Sequence, residues 1–150
     1  MLRTIDPRLN ADILHALACM GHGDELVICD LNFPSDSVAR LTPCGRPIRM
    51  ENLGCAEAAE AILTLMPLDT FVENAAYCMQ VVGAPDEIPP VVREIQAVLD
   101  AAPEGPWPLG ALERFAFYER AKKTYCVVVS GERRFYGNVI LTKGVIPPDA

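Results

Sequence analysis

"MGHGDELVICDLNFP", residues Met20–Pro34, holds the end of a helix, a turn, a strand and the start of a loop. Upstream, Asn10 is placed to cap a helix running to about Met20, with Ile13, Leu14 and Leu17 on one face and Gly21 as its stop. Within the stretch, Leu26, Val27, Ile28 and Cys29 form a short apolar run bounded by Glu25 and Asp30, the signature of a buried strand. Between them His22, one of two histidines in the chain, sits between Gly21 and Gly23. A core histidine needs no flanking glycines. A histidine facing a ligand gains from them, because glycine permits close approach and unusual backbone angles.

The helix-then-strand pattern repeats downstream. "NFPSDSVARLTPCGRP" is rich in turn formers, has no sustained period and reads as a long surface excursion. An Ala- and Leu-rich helix follows from Glu51 to Met66, stopped by Pro67, and "AYCMQVVG" reads as a buried strand. Pro89 and Pro90 open another helix, in which Val91, Val92, Ile95, Val98 and Leu99 make an amphipathic stripe. "APEGPWPLG" reads as a loop, Leu112 to Lys123 as a helix, and "TYCVVVS" and "YGNVILT" as strands. Four strands interleaved with helices predict an α/β fold: one small domain over 1–150, a sheet flanked by helices.

The chain has 150 residues, 51% of them hydrophobic, and a mean hydropathy of +0.19. That apolar surplus predicts a buried subunit interface, since a lone monomer rarely exposes much apolar surface. No 18-residue apolar run predicts a transmembrane helix, and "MLRTIDPRLN" lacks the apolar core of a signal peptide. A net charge of -7 argues against nucleic acid as a partner, because phosphate neutralisation needs clustered cations. Lys122-Lys123 and Arg133-Arg134 are too short for that role and read as solvated surface. There are six cysteines without any C-x-x-C spacing. They predict a cytoplasmic protein with reduced thiols and no structural zinc, with Cys29, Cys78 and Cys126 as core residues.

No phosphate loop, dinucleotide fingerprint or nucleophile elbow occurs, so chemistry must come from sparse polar residues at element ends. His22 reads two ways, as a turn residue favoured at a helix C-terminus or as a proton-transfer group titrating near neutrality. Asp30 ends a strand, where α/β ligand sites gather, and equally suits an Asx-turn. The two are eight residues apart, roughly 26 Å when extended. They share a pocket only if the turn folds back or a second subunit supplies one of them. In "RFAFYERA", Arg114 and Tyr118 share a helix face, which is also what an ordinary amphipathic helix would show. Tyr136 and Asn138, with Gly137 between them, would point to one face of a strand and offer neutral hydrogen bonds and a flat ring. Asp69 suits a turn, His15 the surface, and Trp107, between two prolines, a docked loop or subunit contact.

Taken together, "MGHGDELVICDLNFP", "RFAFYERA" and "SGERRFYGNVILTKGV" resemble the L-fucose mutarotase / D-ribose pyranase family in order and spacing along nearly the whole chain. The aromatic "FAFYERA" is similar to the fucose branch. The resemblance implies a ring-like homo-oligomer, a decamer being one such assembly, with sites at subunit boundaries and a free monosaccharide as partner. It implies interconversion of the α and β anomers of a sugar such as L-fucose, with no metal and no cofactor. It places the proton donor on His22 and a second catalytic group on Tyr118, whose phenol is a poor base at an unperturbed pKa near 10. It places substrate contacts on Asp30, Asp69, Arg114, Tyr136, Gly137 and Asn138. The alternatives are a D-ribose-type pyranase, closing the ring on a different hydroxyl, and a non-catalytic sugar-binding protein.

Overall fold

The computed structural model describes residues 1–148. Its centre is a six-stranded mixed sheet in the order β2-β5-β1-β6-β3-β4. The strands are β1 (Glu25–Cys29), β2 (Ile48–Met50), β3 (Ala76–Met79), β4 (Leu109–Leu112), β5 (Cys126–Ser130) and β6 (Val139–Thr142). β1 runs parallel to β5, β2 to β5, and β3 to β4. β6 lies antiparallel between β1 and β3 and stitches the two parallel groups together.

Alternation along the central strands decides which helices lie where. Leu26, Ile28, Cys126, Val128, Val139 and Leu141 face one side and pack with α1 (Ala11–Cys19), α3 (Cys55–Leu63) and α4 (Pro90–Ala101). Val27, Cys29, Val127, Val129 and Ile140 face the other, where α2 (Ser35–Ala39) and α5 (Arg114–Ala121) contribute Val38, Ala39, Phe117 and Ala121. Strands buried on both faces read as continuous apolar runs, which is why "LVIC" and "CVVV" carry no polar residue. In α1 the Asn10 side chain accepts from the Ile13 amide, as its cap position requires. In α4 the stripe Val91, Val92, Ile95 and Leu99 is buried. Trp107 is a docked loop residue: it is buried, and its indole donates to the Pro103 carbonyl.

Several expectations need correction. There are six strands, not four. The stretch expected to be a surface excursion contains α2, β2 follows directly after it, and β4 begins inside the expected "APEGPWPLG" loop. The helix expected from Glu51 starts at Cys55, with Gly54 as its cap and the Glu57 carboxylate accepting from the Gly54 amide. Tyr136, Gly137 and Asn138 are not on a strand. The ladder begins at Val139, and Tyr136 lies in a turn with a left-handed φ of 65°. Arg134 is not merely solvated surface, because it pairs with Glu94 and with the buried Glu132. All six cysteines are free, and Cys29, Cys78 and Cys126 are buried. No helix among the described residues is long and apolar enough to cross a membrane.

Candidate active site

Asp30 leaves the C-terminal end of β1 beside the start of β6, at the edge of the sheet where α/β folds gather their ligands. Its carboxylate is buried at 4% exposure. One oxygen, Oδ1, accepts from the Asn32 and Phe33 amides at 2.9 and 3.0 Å, so the Asx-turn reading of this residue holds. The other, Oδ2, accepts from the Asn138 side-chain amide at 3.0 Å, while Asn138 Oδ1 takes the Asp30 amide at 3.0 Å. Burial pushes the Asp30 carboxyl above the usual range, opposed by the amides of Asn32, Asn138, Phe33 and Gly137.

These groups form one wall of a cavity of about 170 Å³, completed by Arg114, Tyr118 and Tyr136. Pockets for drug-sized ligands run to roughly 300–1,000 Å³, so this one suits a single small ring. Arg114 and Tyr118 reach it from one face of α5, while the neighbouring Phe117 is fully buried and fixes the helix on the sheet. The buried Nε of Arg114 has no hydrogen-bond partner among the described residues. A buried donor left unsatisfied costs about 1–3 kcal/mol, so this Nε is available to an acceptor that enters the cavity. Tyr136 Oη accepts from the Val82 amide at 3.1 Å, which leaves its own proton to donate. Phe33, Met79, Val82 and Phe135 give the same cavity an apolar side.

His22 is not in it. It precedes β1, and Asp30 follows it, so a strand of about 17 Å separates them. The turn does not fold back: the Gly23 amide donates to Lys143, just past the far end of β6. There His22 Nε2 meets Asp69 Oδ1 at 3.1 Å. Asp69 is buried at 3% exposure and also accepts from the Phe71 amide. A carboxylate can only accept, so the proton of this bond sits on Nε2 and Nδ1 is left to exchange protons. The imidazole is half exposed and lies edge-on to the Phe71 ring at 5.5 Å. Among the described residues, no cluster of three or more His, Cys, Asp and Glu side chains could hold a metal ion.

Residues 3–146 match the model of the RbsD / FucU transport protein family. The chain belongs to that family. It is 45% identical to the fucose mutarotase of Homo sapiens over 148 residues, 97% of this chain and 94% of that one. A solved structure described as a putative sugar binding protein is 56% identical, covers 98% of this chain and 97% of its own, and superimposes with a TM-score of 0.94. The fucose mutarotase of Streptococcus pneumoniae, solved in complex with L-fucose, is 37% identical, with 97% and 100% coverage and a TM-score of 0.87.

Of the residues singled out in the sequence, the fold gathers Asp30, Arg114, Tyr118, Tyr136 and Asn138 at one end of the sheet, with the Gly137 amide beside Asp30. It gathers His22 and Asp69 at the other. The apolar cavity residues Phe33, Met79, Val82 and Phe135, and Phe71 beside His22, went unrecognised. For Phe33, Phe71 and Phe135 the one signal was an aromatic residue in a turn-rich segment, "NFP", "DTF" and "RRF"; Met79 and Val82 had none.

Proposed function

We propose that the protein is a mutarotase that interconverts the α and β anomers of L-fucose through the open-chain aldehyde. The observation that carries this reading is the cavity itself. A hydrogen-bonded carboxylate, a guanidinium with an unpaired buried donor, two phenols and a carboxamide converge on a space for one small ring. These are the neutral and ionic groups that hold sugar hydroxyls. The apolar side of Phe33, Met79, Val82 and Phe135 suits the C6 methyl group of a 6-deoxyhexose, a group that ribose lacks. The fucose mutarotases among its relatives, and the L-fucose complex of one of them, support the same substrate.

In the reaction a base takes the O1 proton as an acid protonates the ring oxygen and the C1–O5 bond breaks. Rotation about C1–C2 presents the other carbonyl face, and the transfers then reverse. His22, oriented by Asp69, is the acid–base group, and Tyr118 is a second proton carrier. Asp30, Arg114, Tyr136 and Asn138 hold the hydroxyls. General acid–base catalysis contributes about 10²- to 10⁴-fold, enough for a reaction that already proceeds unaided.

Because His22 and the cavity lie at opposite ends of β1, a working site takes its histidine from a neighbouring subunit. Both ends carry exposed apolar side chains: Phe71, Val72 and Ile146 near His22, and Leu31, Val82, Phe115 and Phe135 near the cavity. Joining two different surfaces is a heterologous contact, which makes a ring when its rotation closes. The free cysteines fit a cytoplasmic home. The test is NMR saturation exchange between the α and β signals of L-fucose and of D-ribose. Protein-dependent exchange of fucose is expected. Exchange of ribose forms alone, or sugar binding without exchange, would overturn the reading.

A further inference from the structure

The turn that presents Tyr136 and Asn138 is held from beneath by a residue that touches no part of the cavity. Glu132 is buried at 5% exposure, unusual for a carboxylate. Its Oε1 accepts from the Arg134 amide and from Arg134 Nε, both at 2.9 Å, and its Oε2 accepts from Arg134 Nη2 at 2.8 Å. Arg134 is held in turn by Glu94 of α4 through two contacts of 2.7 Å. The Glu132 carbonyl accepts from the Leu31 amide at 2.9 Å, next to Asp30.

Gly137 lies directly over this carboxylate. A Cβ at Gly137 would stand 2.4 Å from Glu132 Cγ and 3.4 Å from Val91 on α4. The glycine is therefore required by packing: its bare backbone lets the turn settle on Glu132, with Tyr136 on one side and Asn138 on the other. Tyr136 adopts a left-handed φ of 65°, a conformation a non-glycine residue keeps only where its surroundings over-determine it.

We propose that Glu132 is a positioning residue for the sugar site: clamped by Arg134 and seated under Gly137, it fixes the turn that offers Tyr136 and Asn138 to the substrate. This rests on the reading of the cavity as the sugar site. Arg134 holds the Glu132 carboxyl down at about 2, so it stays ionised at every pH where the protein works. The other groups around it are the Arg133 amide on its own loop, Glu94 on α4, and Cys55 and Glu57 at the start of α3, with Asp30 at the end of β1 beyond Cys55. Without Arg134, the remaining charged side chains are all acidic. The Glu132 carboxyl then rises, and protonation replaces a charged acceptor by a weaker neutral one at the residue-134 amide and loosens the turn.

Two measurements test this. Glu132→Gln keeps the shape and removes the charge. Its KM for L-fucose should rise about tenfold with kcat within about twofold, the size expected when a supporting shell loosens a binding group. An unchanged KM in folded Glu132→Gln protein, or a loss confined to kcat, would overturn the proposal. Arg134→Met should show a kcat/KM that, relative to wild type, falls as the pH is lowered. The double variant with Glu132→Gln should show a flat ratio. A flat ratio in Arg134→Met, or a slope that survives in the double variant, would overturn it equally. A wild-type protein that exchanged no anomers would instead remove the functional reading on which the proposal stands.

Discussion

Asp30 is the residue on which most of the cavity turns. It is an Asx-turn residue and a cavity carboxylate at once, because its two oxygens serve different partners. Its raised carboxyl has a direct consequence for pH dependence. The ionised form is present only above the raised pKa, so kcat/KM should fall on the acid side at a pH above the usual aspartate range. Asn138 donates to the ionised form and so holds that pKa down. Asn138→Ala should therefore move the acid limb to still higher pH, and a limb that stayed put or moved down would contradict the assignment. At the other end, His22→Gln should lower anomer exchange by about 10²- to 10⁴-fold with the fold intact, since the imidazole is half exposed and its loss leaves no core cavity. Circular dichroism and NMR exchange on the same sample check both halves of that statement. The turn position of His22, the strand-end position of Asp30 and the shared helix face of Arg114 and Tyr118 were legible because glycine flanks, a strand end and helical spacing are local signals. The strand expectation for Tyr136 failed because a period of two cannot register a left-handed φ in the turn before β6, where Gly137 sits against Glu132.

α5 is the element that transmits the sheet to the site. Phe117 packs on the sheet, and Arg120 donates both Nε and Nη2 to Glu25 on β1 while its guanidinium lies 4.2 Å from the centre of the Tyr77 ring. Arg114 and Tyr118 are thereby held at a fixed rotation over the cavity. Phe117→Ala removes a fully buried ring and should cost about 3–5 kcal/mol of stability, read as a lowered midpoint in denaturant. A loss within about 0.5 kcal/mol, the range of ordinary surface changes, would mean that Phe117 does not anchor α5. α1, α4, α5 and the central strands were legible because each has a cap or a clear period. β2 and β4 were not. β2 is three residues long and β4 reads Leu-Gly-Ala-Leu, a weak strand former. Both are edge strands, defined by pairing with β5 and β3 instead of by their own side chains. Gly110 is in β4 because the Tyr77 ring lies against it: a Cβ there would come within 2.6 Å of that ring.

At the scale of the molecule, the candidate residues form two clusters at opposite ends of one strand, and exposed apolar side chains such as Phe71 and Phe135 lie in the segments beside them. The apolar surplus in the composition pointed to an interface, but composition holds no direction, and only the fold separates the histidine end from the cavity end. If the two ends meet between subunits, Phe71→Asp should give a smaller, folded species by size-exclusion chromatography that exchanges no anomers. A variant that kept both its assembly and its activity would remove Phe71 from the contact. The most direct measurement of the central claim mixes His22→Gln protein with Asn138→Ala protein under conditions that let subunits exchange. In a site shared across a heterologous contact, about a quarter of the sites in an equal, random mixture carry neither lesion. Anomer exchange of L-fucose should therefore reappear in the mixture, well above either variant alone. Activity that stayed at the level of the separate variants, with subunit exchange demonstrated, would contradict a site built from two chains.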